Sequence, residues 1–262
     1  MKRNLILLMV FLLFSVKNLQ AQEPKEISLD QIVQKVKEQK RKQKEYLKDY
    51  IFKSTETQRS LDKQGKVKES KTTVKKIYVK GEINHEEILS VQENGKFLDE
   101  KKIKEMQEKQ DKRESGKGNA KEKTKTFFPF DPEENGKFDY YFVKEDTLNG
   151  LPTYLLKAEP KKKDENFLDD FYWIDQKSFG VLKEEQRLSK KQKFVKEMSG
   201  ERIFQEIEIK DISDAHIFMP VSTKMKGEGG FLFMKKKFEM EMVYSEFQLN
   251  VGISDEIFPR RK

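Results

Sequence analysis

The apolar positions of this chain change their period several times, and each change marks an element. Ile32, Val33 and Val36 fall on one face of a helix, and Tyr46 and Leu47 continue the stripe after a polar gap. Ser28 with Gln31 three residues on has the form of a capping box, each side chain satisfying a backbone N–H of the other. The spacing predicts a helix over 28–48 that packs only at its ends, because 38–44 carry nothing apolar. From Tyr50 the period falls to two. Tyr50, Phe52 and Thr55 open a strand that reaches Leu61, and Asp62 to Gly65 turn the chain into a long partner marked by Val67, Thr73, Ile77 and Tyr78. Ile88, Leu89 and Val91 precede Asn94-Gly95, a pair suited to the left-handed residues of a two-residue hairpin. Lys96 to Leu98 is its short return.

The stretch 99–126 breaks this rhythm. Asp99 caps a helix ending near Arg113 in which Ile103 and Met106 are the only apolar residues. Glu114 to Thr126 holds Gly116 and Gly118 among lysines and reads as a linker. Strands resume afterwards with the same character, so 99–126 is expected to be a charged helical and linker insertion within one domain. Phe138, Tyr140 and Phe142 alternate with Tyr141 and Val143, and Asn149-Gly150 turns the chain into Tyr154 to Leu156. After a charged loop from Lys161 to Asp170, Phe171 to Asp175 is the most apolar short strand, and Gln176 to Gly180 turns into Val181-Leu182. Ser199-Gly200 predicts a turn between Phe194-Val195 and the segment from Ile203 to Ile209. Gly227 to Gly230 predicts another before Phe231 to Phe233, after which Phe238, Met240, Met242 and Tyr244 keep period two. Strands spaced by turns in this way form an antiparallel meander. The expected fold class is α+β, dominated by a curved antiparallel sheet.

Such a sheet keeps one wet face, which accommodates a chain of 262 residues in which 38% are Asp, Glu, Lys or Arg. The first residues follow another logic. Met1 to Asn4 carry two positive charges, Leu5 to Phe14 are wholly apolar, and Ala21 follows a short polar exit. These are the parts of a secretory signal peptide, expected to be cut after Ala21. A membrane-spanning helix needs ~20 apolar residues, and no other apolar run approaches that length, so the mature chain, 22–262, is expected to be periplasmic and not membrane-spanning. Its removal takes Lys2, Arg3 and Lys17 from a net charge of +8. The chain has no cysteine, which excludes disulfides, thiol chemistry and a lipid on an N-terminal cysteine. Lysines and glutamates occupy most outward strand positions, unlike an outer-membrane barrel. They alternate instead of clustering, so no nucleic acid is expected as partner.

Catalytic chemistry finds little support. The two histidines, His85 and His216, lack the spacing of a zinc helix, and both read as exposed polar residues near turns. There is no nucleophile elbow and no phosphate-binding glycine loop. Carboxylate pairs such as Asp169-Asp170 and Glu184-Glu185 are common throughout. No catalytic residue, metal or cofactor is expected, and the chain is read as a non-enzyme.

The second half carries an ordered set of short motifs: Trp173 with Asp175, then Met219-Pro220, then Asn250, Gly252, Asp255 and Phe258 at the close. This order, over residues 138–258, resembles the outer-membrane lipoprotein-sorting group, the LolA/LolB-like superfamily. The resemblance implies an incomplete β-barrel with helices across its open face, a carrier of lipids or of lipoprotein acyl chains. It makes envelope membrane proteins further partners. Candidates for an apolar lining are Phe142, Tyr154, Leu156, Trp173, Phe204, Phe233, Met240, Met242 and Tyr244. The same period-two stripes also fit an ordinary core. The alternative is therefore a periplasmic scaffold with a filled interior and no lipid ligand.

Overall fold

The structure, a computed structural model, describes residues 27–115, 128–134, 136–161, 168–189, 195–209, 216–229 and 236–259. The expected signal peptide, most of the 114–126 linker and Phe231 to Phe233 lie outside the described residues. Eleven strands form one antiparallel sheet: β1 Asp49–Leu61, β2 Val67–Lys80, β3 Ile83–Glu93, β4 Lys96–Phe97, β5 Phe138–Leu148, β6 Leu151–Pro160, β7 Leu168–Asp175, β8 Val181–Leu188, β9 Val195–Ile207, β10 Ile217–Gly229 and β11 Lys236–Leu249. Among the described residues two α-helices accompany them, α1 Leu29–Tyr46 before β1 and α2 Glu100–Glu114 after β4.

The strand order is β4-β3-β2-β1-β11-β10-β9-β8-β7-β6-β5. Two meanders, β1–β4 and β5–β11, are therefore stitched together where β11 returns beside β1. β4 and β5 are the two edges, so the sheet is not closed, and the segment carrying α2 takes the chain from one edge to the other. The fold is α+β, a curved sheet in the form of an incomplete barrel. Both Asn-Gly pairs turn as their sequence predicts, with φ of 50° and 78° at Asn94-Gly95 and 52° and 85° at Asn149-Gly150.

The pairings place side chains on faces. Leu156, Tyr172, Glu184, Arg202, Thr223, Met242, Glu56, Thr73 and Val91 stand opposite one another in succession from β6 to β3. One face thus runs from aromatic and aliphatic, through charged, to mixed. α1 lies on its apolar end. Ile32, Val33 and Val36 are buried in one cluster with Phe130, Tyr154, Leu156, Tyr172, Phe204 and Phe218. Each such aliphatic side chain contributes ~1.5–3 kcal/mol when fully buried. The capping box forms as the sequence predicts.

The middle of α1 corrects the expectation that only its ends pack. Lys40 is 9% exposed. Its ammonium lies 4.7 Å from the ring centre of Phe128 and 5.5 Å from that of Phe204. Gln43 Nε2 donates to the Phe218 carbonyl at 3.1 Å while its Oε1 accepts from the Phe218 N–H at 3.1 Å. Polar residues here bind a strand end and rings, so a lack of apolar periodicity does not leave the helix loose. A second correction concerns Ser199-Gly200. β9 runs through them without a turn, because Gly200 is paired on both sides, with Gln186 of β8 and Met225 of β10. Gly227 likewise belongs to β10, where a Cβ would meet the Phe238 ring at 2.7 Å.

Candidate functional site

The face that bears α1 has three parts. Under the helix it is filled. Tyr172 is 1% exposed, with Phe128 and Phe130 set edge-on against its ring at 5.6 and 5.1 Å. Phe130 also stacks on Tyr140, whose hydroxyl donates to the Pro129 carbonyl at 2.6 Å. The strap 128–130 thus closes the space between α1 and β5–β9 with rings.

The next part is charged and buried. Asp170, Glu184 and Lys40 are 6%, 5% and 9% exposed. Arg202 Nη1 donates to Glu184 Oε2 at 3.1 Å. Burial pushes the Glu184 carboxyl up, opposed by the charges of Arg202 and Lys40. Burial pulls the Lys40 ammonium down to about 8, against the pull of Asp131 and Glu184. Asp170 is pushed up to about 7, first by burial and then by the charge of Glu184. Its Oδ1 has no hydrogen-bond partner among the described residues.

Beyond these groups lies a partly apolar strip with no helix or strap over it among the described residues. Phe52, Met225, Met240, Met242 and Tyr244 are all half-buried and belong to neither apolar cluster. Phe52 meets Tyr244 edge-on at 5.8 Å and stacks on Phe247 at 5.7 Å. The Tyr244 hydroxyl donates to Met242 Sδ at 3.4 Å, and Met225 and Met240 face each other across β10 and β11. Charge flanks the strip: Lys75 bridges Glu56 at 3.6 Å and Glu86 at 2.9 Å. An open cleft of about 800 Å³ at its end is lined by Gln58, Lys71, Glu93, Phe238 and Met240 among others. Another of about 500 Å³ is lined mostly from the opposite face, by residues such as Arg59, Glu201, Lys224 and Glu241.

The structure therefore divides the sequence candidates. Tyr154, Leu156 and Phe204 come together under α1 as filled core. Met240, Met242 and Tyr244 come together on the open strip. Phe142 is 46% exposed on edge strand β5, its ring 6.4 Å from that of Tyr154. Trp173 points to the other face, opposite Leu155 and Lys183, and its Nε1 donates to Asp146 Oδ2 at 3.0 Å. Phe233 lies outside the described residues. Asp175, read as a turn starter, accepts from the Ser178 N–H at 2.7 Å, and Asn250 accepts from the Lys48 N–H at 2.9 Å while its amide donates to the Tyr46 carbonyl at 2.8 Å.

Sequence reasoning missed Phe52, Met225 and the strap at 128–130, although the run Phe127-Phe128-Pro129-Phe130 is a visible signal. It also dismissed Asp170 and Glu184 as members of acidic pairs. Alternation from Tyr172 would have separated each from its neighbour, since Asp170, Tyr172 and Ile174 share a face. Among the described residues, one group could hold a metal ion: His85, Asp111 and Glu114. No described helix is long and apolar enough to cross a membrane.

A family model described as "Uncharacterized protein" matches residues 130–262. No curated protein matches the sequence. Solved structures similar to the chain include a DUF1329 family protein from Desulfovibrio piger, at 14% identity and TM-score 0.45, covering 86% of this chain and 96% of that one. A protein described as an outer membrane lipoprotein-sorting domain, from Vibrio parahaemolyticus, has 12% identity and TM-score 0.41, covering 86% and 94%. The LolA superfamily protein NE2245 from Nitrosomonas europaea has 12% identity and TM-score 0.36, covering 88% and 97%.

Proposed function

The chain belongs to the family whose model covers its residues 130–262, and we propose that it is a periplasmic carrier or sensor that holds the hydrocarbon of a lipid or of a lipoprotein on the open strip. The observation that carries this reading is the strip itself: Phe52, Met225, Met240, Met242 and Tyr244, contiguous on the face that bears α1 and outside the cluster that α1 seals. From Met240 to Tyr244 a strand advances ~14 Å. Methionine packs adaptably against varied chains, and each methylene withdrawn from water contributes ~0.8 kcal/mol when fully buried. Flanking lysines and glutamates hold the polar end of a ligand in water. No covalent step is required, in keeping with the reading as a non-enzyme. The reading takes segment 1–21 as the export signal, which puts the activity in the envelope.

A second reading is favoured by one observation. The most apolar part of the face is filled by the strap 128–130 and α1, so the chain also suits a scaffold that binds an envelope protein and no lipid. Titration of the mature chain with a fluorescent palmitate analogue, alongside native mass spectrometry, separates the two. The carrier reading expects saturable binding that Met240→Asp with Met242→Asp weakens at least tenfold and Phe142→Ala leaves unchanged. Absence of binding, or binding indifferent to the paired substitution, gives the scaffold.

A further inference from the structure

We propose that His85, Asp111 and Glu114 form a binding site for a divalent metal ion of the zinc class, which fastens α2 to the edge of the sheet. The three come from two elements, β3 and α2. One ligand atom from each lies within 4.8 Å of the others, and His85 Nδ1 stands 2.8 Å from Glu114 Oε2. Zinc takes nitrogen and oxygen at ~2.0–2.2 Å, so two ligands of a tetrahedral ion stand ~3.4 Å apart. The His85–Glu114 pair, at 2.8 Å, has to open slightly to reach that value, and the Asp111 ligand atom, within 4.8 Å of both, is in reach of the same ion. Asp111 and Glu114 are three apart on a helix and so share a face.

The surroundings are built as carboxylate ligands require. Gln107 Nε2 donates to Asp111 Oδ1 at 2.7 Å, and Gln110 Nε2 donates to Glu114 Oε1 at 2.8 Å. The backbone N–H of Glu86 reaches the same Glu114 oxygen at 3.3 Å. The His85 ring stacks on Tyr78 with centroids 6.0 Å apart. These contacts fix ligand orientation, which is the work of outer-shell partners at metal sites. The side chains of His85 and Glu114 are only 14% and 6% exposed.

The helix itself supplies the second line of argument. α2 buries no residue. A helix of this length is marginal alone in water, and helices in proteins owe most of their stability to a packed apolar face. Its apolar residues Ile103 and Met106 are only half-buried, and it lies along β3, held by Gln107, which accepts from the Ile88 N–H at 2.7 Å and donates to the Glu86 carbonyl at 2.8 Å. An ion bridging strand and helix supplies the missing anchor, and its binding energy adds directly to the ordering of α2. One imidazole with two carboxylates selects a zinc-type ion over magnesium or calcium, which take oxygen alone. Three protein ligands leave a position open to water. The proposal is independent of the lipid reading.

The test uses the mature chain, freed of metal with EDTA, dialysed, and titrated calorimetrically with zinc chloride. One ion per chain is expected. His85→Ala and Asp111→Asn each weaken binding by more than the ~10–100-fold typical of losing an outer-shell partner. His216→Ala leaves it unchanged, because that histidine is exposed and pairs with Glu206. Asp111→Asn retains an acceptor for Gln107, so it guards against a fold defect in the histidine variant. Zinc should also slow amide exchange across 100–114 in the parent chain and not in either variant. No stoichiometric uptake, or uptake that survives both substitutions, overturns the site.

Discussion

Under α1 the rows of the sheet end in rings and aliphatic side chains closed off by a helix and a strap; beyond Arg202 the same rows continue into methionine, threonine and glutamate with no such cover among the described residues. The pairing geometry is the same in both halves. What differs is what each row sets opposite its neighbour: Leu156 against Tyr172 on one side, Met242 against Glu56 on the other. A covered row can be apolar throughout, whereas an open one must mix apolar and charged groups to stay wetted. The contrast predicts a large asymmetry in stability. Tyr172→Ala removes a fully enclosed ring and should cost ~3–5 kcal/mol, whereas Met242→Ala removes a half-exposed side chain and should cost about 1 kcal/mol or less. Urea unfolding monitored by circular dichroism gives both values. Equal losses would show that the open strip is as tightly packed as the core.

The charged seam between the halves is the next place to press. Asp170 has a folded pKa of about 7, above its ordinary 3.8. Between about pH 4 and 7 the folded chain therefore keeps a proton that the unfolded chain has released, and stability falls as pH rises through that window. At about 1.4 kcal/mol per pKa unit, the loss is about 4 kcal/mol by pH 8. Asp170→Asn should recover most of it at pH 8 and change little at pH 4, as read by thermal unfolding at the two values. A variant no more stable at pH 8 would mean that the carboxylate is ionised and well solvated. Lys40 gives the opposite slope. Its folded pKa of about 8 lies below the ordinary 10.5, so between those values the unfolded chain holds the extra proton and stability rises with pH. Lys40→Met keeps the stem over Phe128 and Phe204 and should abolish that rise, about 3 kcal/mol at most.

Much of this contrast is legible in the sequence, and the illegible part has a physical pattern. Strands and hairpins follow from period two and from Asn94-Gly95 and Asn149-Gly150, because those signals act between neighbours in the chain. The two corrections are places where distant partners overrule a local signal. Gly200 reads as a turn until ladders on both sides hold it extended. Lys40 reads as solvated until two rings and two carboxylates from other elements surround it. The site divides the same way. Period two identified Met240, Met242 and Tyr244 as one face, but nothing local states that α1 stops short of them while covering Tyr154 and Leu156. Trp173 shows the cost of judging by residue type: alternation puts it on the face opposite Tyr172.

The smallest predicted effect compares the two helices through a device they share. Gln43 of α1 clamps the N–H and carbonyl of Phe218, and Gln107 of α2 clamps the Ile88 N–H and the Glu86 carbonyl. Each clamp contributes roughly 0.5–1.5 kcal/mol per hydrogen bond. The settings differ, because α1 also carries Ile32, Val33 and Val36 into the core, whereas α2 buries no residue. Removing the clamp should therefore leave α1 seated and release α2. Hydrogen exchange of Gln43→Ala should show little change over 29–46. Gln107→Ala should speed exchange over 100–114 by about tenfold, the change expected for ~1.4 kcal/mol of local stability. The Ile88 amide, stripped of its acceptor on the outer side of β3, should follow. Equal responses in the two helices would mean that α2 is seated by something other than its polar contacts, and the distinction between a helix held by burial and one held by hydrogen bonds would fall with it.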